Sequence, residues 1–530
     1  MNKKWLWVLL LACVLFVITA VAVSLFIFRV CCGEDQEAVI EDFTASTQAE
    51  IVPTKSFPEA ELPVGDGVVF YAGGEACRDD GSGDADEPFC TWATAVSHLQ
   101  PGDTLEILPG TYTERLAING LRGTADNPIT IRGQSRDAVV FDGGCPGFPC
   151  GLNDVAWEWD ITGLISINDS EYVILHDLTV QNVIAAGVDV FGGRGITVAN
   201  VRVDGAGNPG LIFEQTADLV VRGNDVGRAQ LGWRDEDDRV QPGAHEALSV
   251  LAVDNFLVAE NYVHDTLKEG IDIKESAANG EVRDNLVERA CAVGIYINEA
   301  DHVLVSRNEV YDSGYYLTDE GVVRPCGEEP VFGRLQGKWY GSGVMLATGD
   351  LGDRSQGLLT DVTIAQNIVA NARVNCLEFW DELGGAGEIT GVRVVNNVFY
   401  QCGFGGIRLS DAAGTLVANN IIALVGEGGI TGNAIGDSDI SHNLFFYDSD
   451  AFVPEGENAI VADPMFVDAD GRDFHLLPDS PALGAGVDVG MGESQPNLGV
   501  LGVVGSGDEM TVVSPPSIAL EIRADGALRL

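Results

Sequence analysis

A six-residue pattern of apolar and polar positions recurs along the middle of the chain. Each copy reads apolar-x-x-Asn-x-apolar, as in VRGNDV, VAENYV, VRDNLV and VSRNEV. The asparagines of the eight copies are Asn224, Asn261, Asn285, Asn308, Asn367, Asn397, Asn420 and Asn443. Two earlier copies, LHDLTV and VANVRV, carry Leu178 and Val201 at the matching place. From Leu178 onward, the successive differences in position number are 23, 23, 37, 24, 23, 59, 30, 23 and 23, which indicates a basic period near 23 with insertions.

A second apolar segment lies between successive copies of this pattern. Examples are GVDVF, GLIFE, GIDIK, GIYIN and GIRLS, in which apolar residues recur with a period of two. This period is typical of β-strands, whose side chains point alternately to the two faces of a sheet. Two or three short strands in each repeat, joined by glycine turns, predict a parallel β-solenoid whose coils hydrogen-bond to one another. The repeated asparagines are then expected to stack as a ladder at one turn of each coil.

Both ends of the repeat region resemble those of a known group, the right-handed parallel β-helix proteins of the pectin-lyase-like superfamily. The segment Pro88–Ile118 (PFCTWATAVSHLQPGDTLEILPGTYTERLAI) is similar to their N-terminal cap and first coil, and Ala462–Gly486 (ADPMFVDADGRDFHLLPDSPALGAG) is similar to their last coil. The resemblance implies the right hand of the helix, which the period alone does not determine. The predicted fold class is therefore all-β, a single-stranded right-handed parallel β-helix of about 12 coils, with an N-terminal transmembrane helix.

The predicted transmembrane helix is an uncharged apolar run at residues 5–28, long enough to cross a bilayer. Lys3 and Lys4 precede it, so residues 1–4 are expected in the cytoplasm and the bulk of the chain at the cell surface. A cleaved signal peptide is the alternative, because Ala20–Ala22 (AVA) resembles a cleavage site.

The remaining boundaries follow from composition and from the repeat. Residues 29–62 are expected to form an acidic linker, 63–505 the β-helix domain and 506–530 a C-terminal tail. The protein is expected to be a monomer held at a membrane through its anchor.

Charge restricts the possible partners. Aspartate and glutamate together number 80 against 30 basic residues, which gives a formal net charge of −50. Such a chain repels nucleic acid, so no nucleic-acid partner is expected. It also repels a polyanionic substrate unless a cation intervenes.

Eight of the eleven cysteines lie beyond the predicted anchor region. An even set in an exported domain predicts disulfides. Cys77 with Cys90, and Cys145 with Cys150, are the natural local pairs.

The predicted strands place a column of non-core side chains on one face of the solenoid. In GIDIK, Ile271 and Ile273 are expected to face the core, and Asp272 and Lys274 to face outward. In chain order, the column predicted from the equivalent strands reads Asp189/Phe191, Ile212/Glu214, Ser249, Asp272/Lys274, Tyr296/Asn298, Met345/Ala347, Glu378/Trp380 and Arg408/Ser410. Two long insertions, residues 227–247 and 315–343, fall beside this column and are expected to wall a groove.

Candidate chemistry lies in the same column. The segment WRDEDDR, upstream of Lys274, offers Asp235, Asp237 and Asp238 as ligands for a suspected Ca²⁺ ion. The arrangement is similar to the ninth family of polysaccharide lyases, pectate lyases that have a lysine base on a Gly-hydrophobic-x-x-Lys strand after calcium-binding aspartates. That resemblance implies that Lys274 is the catalytic base of a β-elimination. The charge of the nearby Ca²⁺ ion would lower the pKa of this lysine.

Substrate contacts are predicted on the same face. Asn298 and Arg408 offer polar contacts, and Trp380 and Tyr296 offer aromatic ones. Packing of the aromatic side chains within the loops is the alternative role. Asp272 departs from the lyase pattern, because it is placed to pair with Lys274 and hold it protonated; a structural Asp–Lys pair is therefore the alternative to a catalytic lysine.

Two functions follow from these observations. The first is a membrane-anchored extracellular polysaccharide lyase that depends on Ca²⁺ and acts on a uronate-containing polysaccharide. The second is a non-catalytic β-helix that binds glycans or serves in adhesion or the envelope, since this architecture hosts both.

Overall fold

Stacked coils of short parallel strands make up the part of the chain that the computed structural model describes. The described residues are 62, 65–145, 147–151, 163–234, 240–241, 243–317, 323–326, 341–349, 356–381, 387–447, 455–490 and 497–500. Within them the strands form one sheet of 25 strands (sheet A) and one of 11 strands (sheet B). Every strand pair in both sheets is parallel, as a solenoid requires.

Sheet B contributes one strand to each coil. Its eleven strands agree with the prediction of about twelve coils. They are β4 (Leu116–Asn119), β7 (Ile165–Asn168), β9 (Val188–Phe191), β11 (Leu211–Glu214), β16 (Leu248–Leu251), β19 (Ile271–Lys274), β22 (Ile295–Asn298), β27 (Val344–Thr348), β30 (Asn375–Asp381), β34 (Gly405–Arg408) and β37 (Gly428–Thr431).

Sheet A contributes two strands to most coils, and the chain bends between them. Its strands are β1 (Val69–Ala72), β2 (Thr104–Ile107), β3 (Gly110–Tyr112), β5 (Ile129–Gly133), β6 (Val139–Asp142), β8 (Val173–Val183), β10 (Thr197–Ala206), β12 (Ala217–Arg222), β13 (Asp225–Gly227), β17 (Asp254–Ala259), β18 (Tyr262–Thr266), β20 (Ala278–Arg283), β21 (Leu286–Ala290), β23 (Asp301–Ser306), β24 (Glu309–Tyr311), β28 (Leu358–Ala365), β29 (Ile368–Ala370), β31 (Glu388–Thr390), β32 (Arg393–Val395), β33 (Val398–Tyr400), β35 (Leu416–Ala418), β36 (Ile421–Ala423), β38 (Asp439–Ser441), β39 (Leu444–Phe446) and β40 (Ile460–Val461).

Smaller elements lie outside the coils. Three antiparallel hairpins pair β14 (Trp233–Arg234) with β15 (Val240–Gln241), β25 (Tyr315–Leu317) with β26 (Val323–Pro325), and β41 (Phe466–Asp468) with β42 (Asp473–Leu476). The helix α1 (Trp92–His98) and a 3₁₀ helix (Ile435–Asp437) complete the described elements. No helix among them is long and apolar enough to cross a bilayer, and the predicted transmembrane segment 5–28 lies outside the described residues.

The core is a continuous apolar column inside the coils. One cluster of buried side chains runs from Ala72 to Phe445 and includes Ile271 and Ile273 of β19. The helix α1 adds Trp92 and Ala95 to this cluster, as expected for an N-terminal cap and first coil.

The predicted asparagine ladder is present at the bend between the two strands that each coil gives to sheet A. The Asn308 amide nitrogen donates to Asn367 Oδ1 at 2.9 Å and to the Val282 carbonyl oxygen at 2.8 Å. Its Oδ1 accepts from the backbone and side-chain nitrogens of Asn285, at 3.0 and 2.9 Å. The same contacts repeat from Asn224 to Asn443, so side-chain hydrogen bonds join each coil to the next.

The residue before each ladder asparagine adopts the left-handed conformation, which turns the chain sharply. Its φ is 58° at Glu260, 56° at Asp284 and 57° at Gln366, and Gly223 has 67° at the first such corner. Non-glycine residues are disfavoured in this region. The hydrogen bonds of the next asparagine therefore hold a bend that local preference opposes.

The segment predicted as the last coil instead folds back over the outside of the helix. The β41–β42 hairpin and the residues after it place Phe474, Leu476 and Ala482 on an outer apolar stripe of sheet A that includes Tyr311 and Tyr400. The prediction of another coil was wrong, because the apolar side chains of the hairpin match that stripe rather than the interior.

An ion pair secures this C-terminal segment. Arg472 donates to Glu288 and, at 3.0 Å, to Asp312, and its guanidinium lies 4.0 Å from the centre of the Tyr311 ring. Glu288 precedes Arg472 by 184 residues in sequence, so the contact joins the end of the chain to its middle.

Four disulfides cross-link the described residues. The two predicted local pairs, Cys77–Cys90 and Cys145–Cys150, are present. Two further pairs, Cys291–Cys326 and Cys376–Cys402, join segments 35 and 26 residues apart. The Cys376–Cys402 pair lies in the core and links neighbouring coils.

A histidine on the outer face of sheet A is enclosed by carboxylates. His264 Nδ1 lies 2.7 Å from Asp265 and Nε2 lies 3.1 Å from Asp225, and these aspartates also bind Arg289 and Arg202. Burial disfavours the imidazolium, but the hydrogen bonds and charges of Asp225 and Asp265 outweigh it and raise the pKa of His264 to about 9.

Replacing Asn308 by alanine is expected to destabilise the protein by about 3 kcal/mol or more, because the buried backbone nitrogen of Asn285 and the Val282 carbonyl oxygen lose the partners that the Asn308 side chain provides. Asn119→Ala is the matched control, since Asn119 is exposed and accepts one hydrogen bond, from Asn168. Urea unfolding followed by circular dichroism measures both variants. Equal losses in the two variants would show that the ladder does not stabilise the stack.

Stability is expected to fall as pH rises from neutrality toward pH 10. The pKa of His264 is raised from 6.5 to about 9 in the fold, so its contribution is complete below about pH 6.5 and is lost as pH rises through about 9. The loss is on the order of 3 kcal/mol, since one pKa unit corresponds to about 1.4 kcal/mol. Unfolding measured at several pH values should show this slope in the wild type and a flatter one in His264→Gln. An identical slope in both proteins contradicts the assignment.

Candidate functional site

The outer face of sheet B carries the predicted column in the predicted register. Ser249 pairs with Asp272, Asp272 with Tyr296 and Tyr296 with Met345. The column continues through Glu378 to Arg408. Side chains that are far apart in the sequence, from Asp189 to Arg408, therefore lie on one stripe.

Burial of the central pair differs from the prediction. Asp272 and Lys274 do alternate with the core residues Ile271 and Ile273, and so belong to the outer side of the sheet. However, they are only 0% and 7% exposed. They face outward from the sheet as predicted, but the segment before β16 brings a further carboxylate, that of Glu246, against the lysine.

Glu246 is held in place by its own turn. Its backbone nitrogen donates to Ser249 Oγ at 3.0 Å, and the Ser249 hydroxyl donates to the Glu246 carbonyl oxygen at 3.2 Å. This turn aims the Glu246 carboxylate at Lys274 Nζ, with which it forms a hydrogen-bonded ion pair. Lys274 Nζ also lies 2.8 Å from Asp272 Oδ2, so the alternative interpretation of a structural Asp–Lys pair matches the observed contact.

The cluster around Lys274 favours its charged form. Burial opposes the ammonium, but the charges of Asp272 and Glu246 outweigh it and raise the pKa of Lys274. Burial also opposes ionisation of Glu246, yet Lys274 lowers its pKa to about 2. Burial and the charge of Glu246 raise the pKa of Glu269 to about 7. A lysine in this setting is a poor base until a positive charge reaches the cluster.

Asp272 is the least satisfied member of the cluster. Burial raises its pKa well above the usual value, because the attraction of Lys274 is opposed by the charge of Glu246. Its Oδ2 lies 2.8 Å from Lys274 Nζ, whereas its Oδ1 has no hydrogen-bond partner among the described residues. The neighbouring carboxylates of Asp272 and Glu246 offer oxygen ligands of the kind that a hard cation such as Ca²⁺ takes.

The other predicted site residues lie on the same face. Tyr296 and Asn298 of β22 are the register neighbours of Asp272 and Lys274. Tyr296 is half-buried, and Asn298 is buried with its Oδ1 unpaired among the described residues. Trp380 and Arg408 are half-buried on later coils. The predicted metal ligands Asp235, Asp237 and Asp238 lie outside the described residues.

The carboxylates that contact or surround the lysine were not predicted as site residues. Glu246 closes the first long insertion, just before β16, and Glu269 stands directly before the glycine of GIDIK. The sequence feature that could have indicated them is their position, because each lies two residues before a strand of sheet B. The period of two did not reveal them because they lie outside the strands.

A second grouping of possible metal ligands lies at an exposed corner. Asp301, His302 and Asp361 bring their ligand atoms within 4.8 Å of one another. The histidine nitrogens lie 2.7 Å from Asp301 and 3.4 Å from Asp361, so the three side chains are partners of one another.

Comparison with known proteins supports the fold. The family model described as the right handed beta helix region matches residues 160–310 and 237–422. The chain is 33% identical over 106 residues to pectate lyase PEL9 of Emericella nidulans, an alignment that spans 20% of this chain and 26% of that lyase. It is 24% identical to the uncharacterized protein YwoF of Bacillus subtilis, with 76% of this chain and 90% of that protein covered.

Two solved structures of lyases match the chain over most of their length. Pectate lyase Pel9A is 12% identical with a TM-score of 0.49, and the match covers 83% of this chain and 97% of that one. A rhamnogalacturonan lyase is 12% identical with a TM-score of 0.46, and the match covers 76% and 91% of the two chains.

Replacing Lys274 by methionine is expected to destabilise the protein by about 3–5 kcal/mol, because Glu246 then stays buried and charged without its partner. Lys268→Met is the matched control: this half-buried lysine donates only to the His245 carbonyl oxygen, at 3.3 Å, among the described residues, and its loss should cost less. Chemical unfolding measures both variants. Similar small losses would mean that the cluster is solvated rather than buried.

Proposed function

We propose that this parallel β-helix protein acts on a uronate-containing polysaccharide bound along the outer face of sheet B. The observation that carries the proposal is the convergence of Lys274, Asp272 and Glu246 on that face, beside Tyr296 and Asn298 of the next coil. The partial similarity to pectate lyase PEL9 is consistent with the same chemistry.

The reaction we propose is β-elimination. Lys274 Nζ takes the proton from C5 of the uronate, the electron pair of that C–H bond forms the C4–C5 double bond, and the C4–O4 bond breaks. The leaving O4 takes a proton from water, and the second product carries an unsaturated sugar. In the same proposal, Tyr296 and Asn298 contact the sugars on either side.

A calcium ion is part of this proposal. The carboxylates of Asp272 and Glu246 offer oxygen ligands for such an ion, and the predicted ligands Asp235, Asp237 and Asp238 would complete its site. If bound there, Ca²⁺ would supply positive charge that neutralises the uronate carboxylate and favours the neutral form of Lys274.

Proton loss from Lys274 is the demanding step. Asp272 and Glu246 raise the pKa of this lysine, so the neutral form needed for proton abstraction grows with pH. We therefore expect the rate to increase from neutral to alkaline pH.

Non-catalytic glycan binding is the second candidate. The observation that favours it is the burial of Lys274 between two carboxylates, which suits a structural role. In that case the outer face binds polysaccharide without breaking it.

We also propose that residues 5–28 anchor the protein in a membrane, with the β-helix outside the cytoplasm. The four disulfides support an oxidising compartment.

The wild-type protein is expected to form unsaturated product from polygalacturonate or alginate with Ca²⁺, and to lose that activity with a chelator. Ultraviolet absorbance of the new double bond measures the product. Lys274→Arg should keep the ion pairs and the fold but abolish product formation, because the pKa of arginine exceeds about 12 and the side chain stays charged.

Two results would contradict the proposal. Full activity in Lys274→Arg would exclude Lys274 as the base. Absence of product from a panel of uronate polymers, with binding retained, would establish the glycan-binding alternative.

A further inference from the structure

Two positively charged side chains stand apart on the outer face of sheet B. Lys274 on β19 and Arg408 on β34 are the cations within the eleven strands that the structure describes in this sheet. The register from Asp272 through Tyr296, Met345 and Glu378 to Arg408 separates the two strands by four steps. At about 4.8 Å per step the separation is about 19 Å.

Arg408 is held by a buried carboxylate. Glu378 is 2% exposed and accepts a hydrogen bond from Ser342 Oγ at 2.6 Å. Its other oxygen lies 3.4 Å from Arg408 Nη1. A buried carboxylate needs such partners to remain charged, so Glu378 fixes where the guanidinium lies.

The guanidinium nevertheless reaches solvent. The Arg408 side chain is 40% exposed, whereas that of Glu378 is 3% exposed. An arginine fork presents several donors and binds a carboxylate through two of them. With one nitrogen directed to Glu378, the exposed part of the fork is available for an anion.

An aromatic side chain lies on the strand next to that of this arginine. Trp380 shares the outer face of β30 with Glu378 and is half-buried. Its indole nitrogen is buried and has no acceptor among the described residues. A tryptophan with an unmet N–H next to an arginine suits a sugar that carries both hydroxyl and carboxylate groups.

We propose that Arg408, positioned by Glu378 and Ser342 and flanked by Trp380, binds the carboxylate of a uronate unit remote from Lys274. This inference rests on the proposed function for its polymer. A pyranose unit is about as long as the spacing of about 4.8 Å between neighbouring strands, so Arg408 contacts the carboxylate of a unit about four units from the one at Lys274. The substrate is therefore an oligomer of at least about five units, bound along the column.

Binding as a function of chain length tests this inference. Calorimetry with galacturonate oligomers of about three to eight units is performed in the Lys274→Arg background, which prevents cleavage. We expect affinity to rise by about tenfold once the oligomer is long enough to reach Arg408, the effect of one charge-assisted contact. This increase in affinity should vanish in Arg408→Ala and be partly kept in Arg408→Lys. It should be smaller in Glu378→Gln, in which the charge that positions Arg408 is lost.

Arg194→Ala is the matched control. Arg194 is 52% exposed and pairs with one carboxylate, that of Asp218, but lies outside the strands of sheet B. The Arg194→Ala variant should keep the increase in affinity with oligomer length. Circular dichroism confirms that each variant is folded.

The outcomes separate this inference from the lyase proposal. An affinity increase that persists in Arg408→Ala, or that appears equally with neutral oligomers, overturns the subsite even if the wild type is an active lyase. An affinity increase that is lost in Arg408→Ala and reduced in Glu378→Gln, but kept in Arg194→Ala, supports the subsite, whether or not wild-type protein forms unsaturated product. Failure of every uronate oligomer to bind overturns both.

Discussion

The structure depends on one constraint, that each coil lies in register with the coil before it. Backbone hydrogen bonds alone allow a strand to slip along its neighbour. The ladder from Asn224 to Asn443 removes that freedom, because each amide bonds both the backbone and the side chain of the adjacent coil. The left-handed residue before each asparagine fixes the bend at the same place, so insertions are accepted only between these corners.

Register is also what brings chemistry together on sheet B. Strands fixed in this way align Asp272, Tyr296 and Arg408 although they are far apart in sequence. Glu246, just ahead of β16, then pairs with the lysine, which is almost fully buried. The carboxylates of Asp272 and Glu246 suit a cation, but they also raise the pKa of Lys274 and so make the lysine a weaker base at neutral pH.

Much of the fold was predictable because its apolar residues and asparagines recur in the sequence at short, regular spacings. The asparagine ladder, the strands of sheet B and their register follow from a spacing near 23 and an alternation of two. Features that depend on shape were not predictable in this way. The C-terminal hairpin carries alternating apolar residues like any coil, and only the outer stripe around Tyr311 and Tyr400 shows where it packs.

The position of the site on the sheet was predictable, but the burial of its residues and the carboxylates around them were not. Sequence placed Asp272 and Lys274 on one face, yet burial arises from Glu246, whose approach depends on the path of a long insertion. The pairs Cys291–Cys326 and Cys376–Cys402 were missed for a similar reason. Their partners meet through the stacking of coils and the course of loops, and neither leaves a local signal.

The contact of Arg472 with Glu288 and Asp312 bears on how such a protein evolves. A solenoid ordinarily gains or loses a whole repeat at little cost, because each repeat touches only its neighbours. Here a duplication between Glu288 and the C-terminal hairpin would move Arg472 one repeat away from its partners. Growth of the array is therefore expected ahead of Glu288, beyond the reach of this tether, and homologues should vary in length there first.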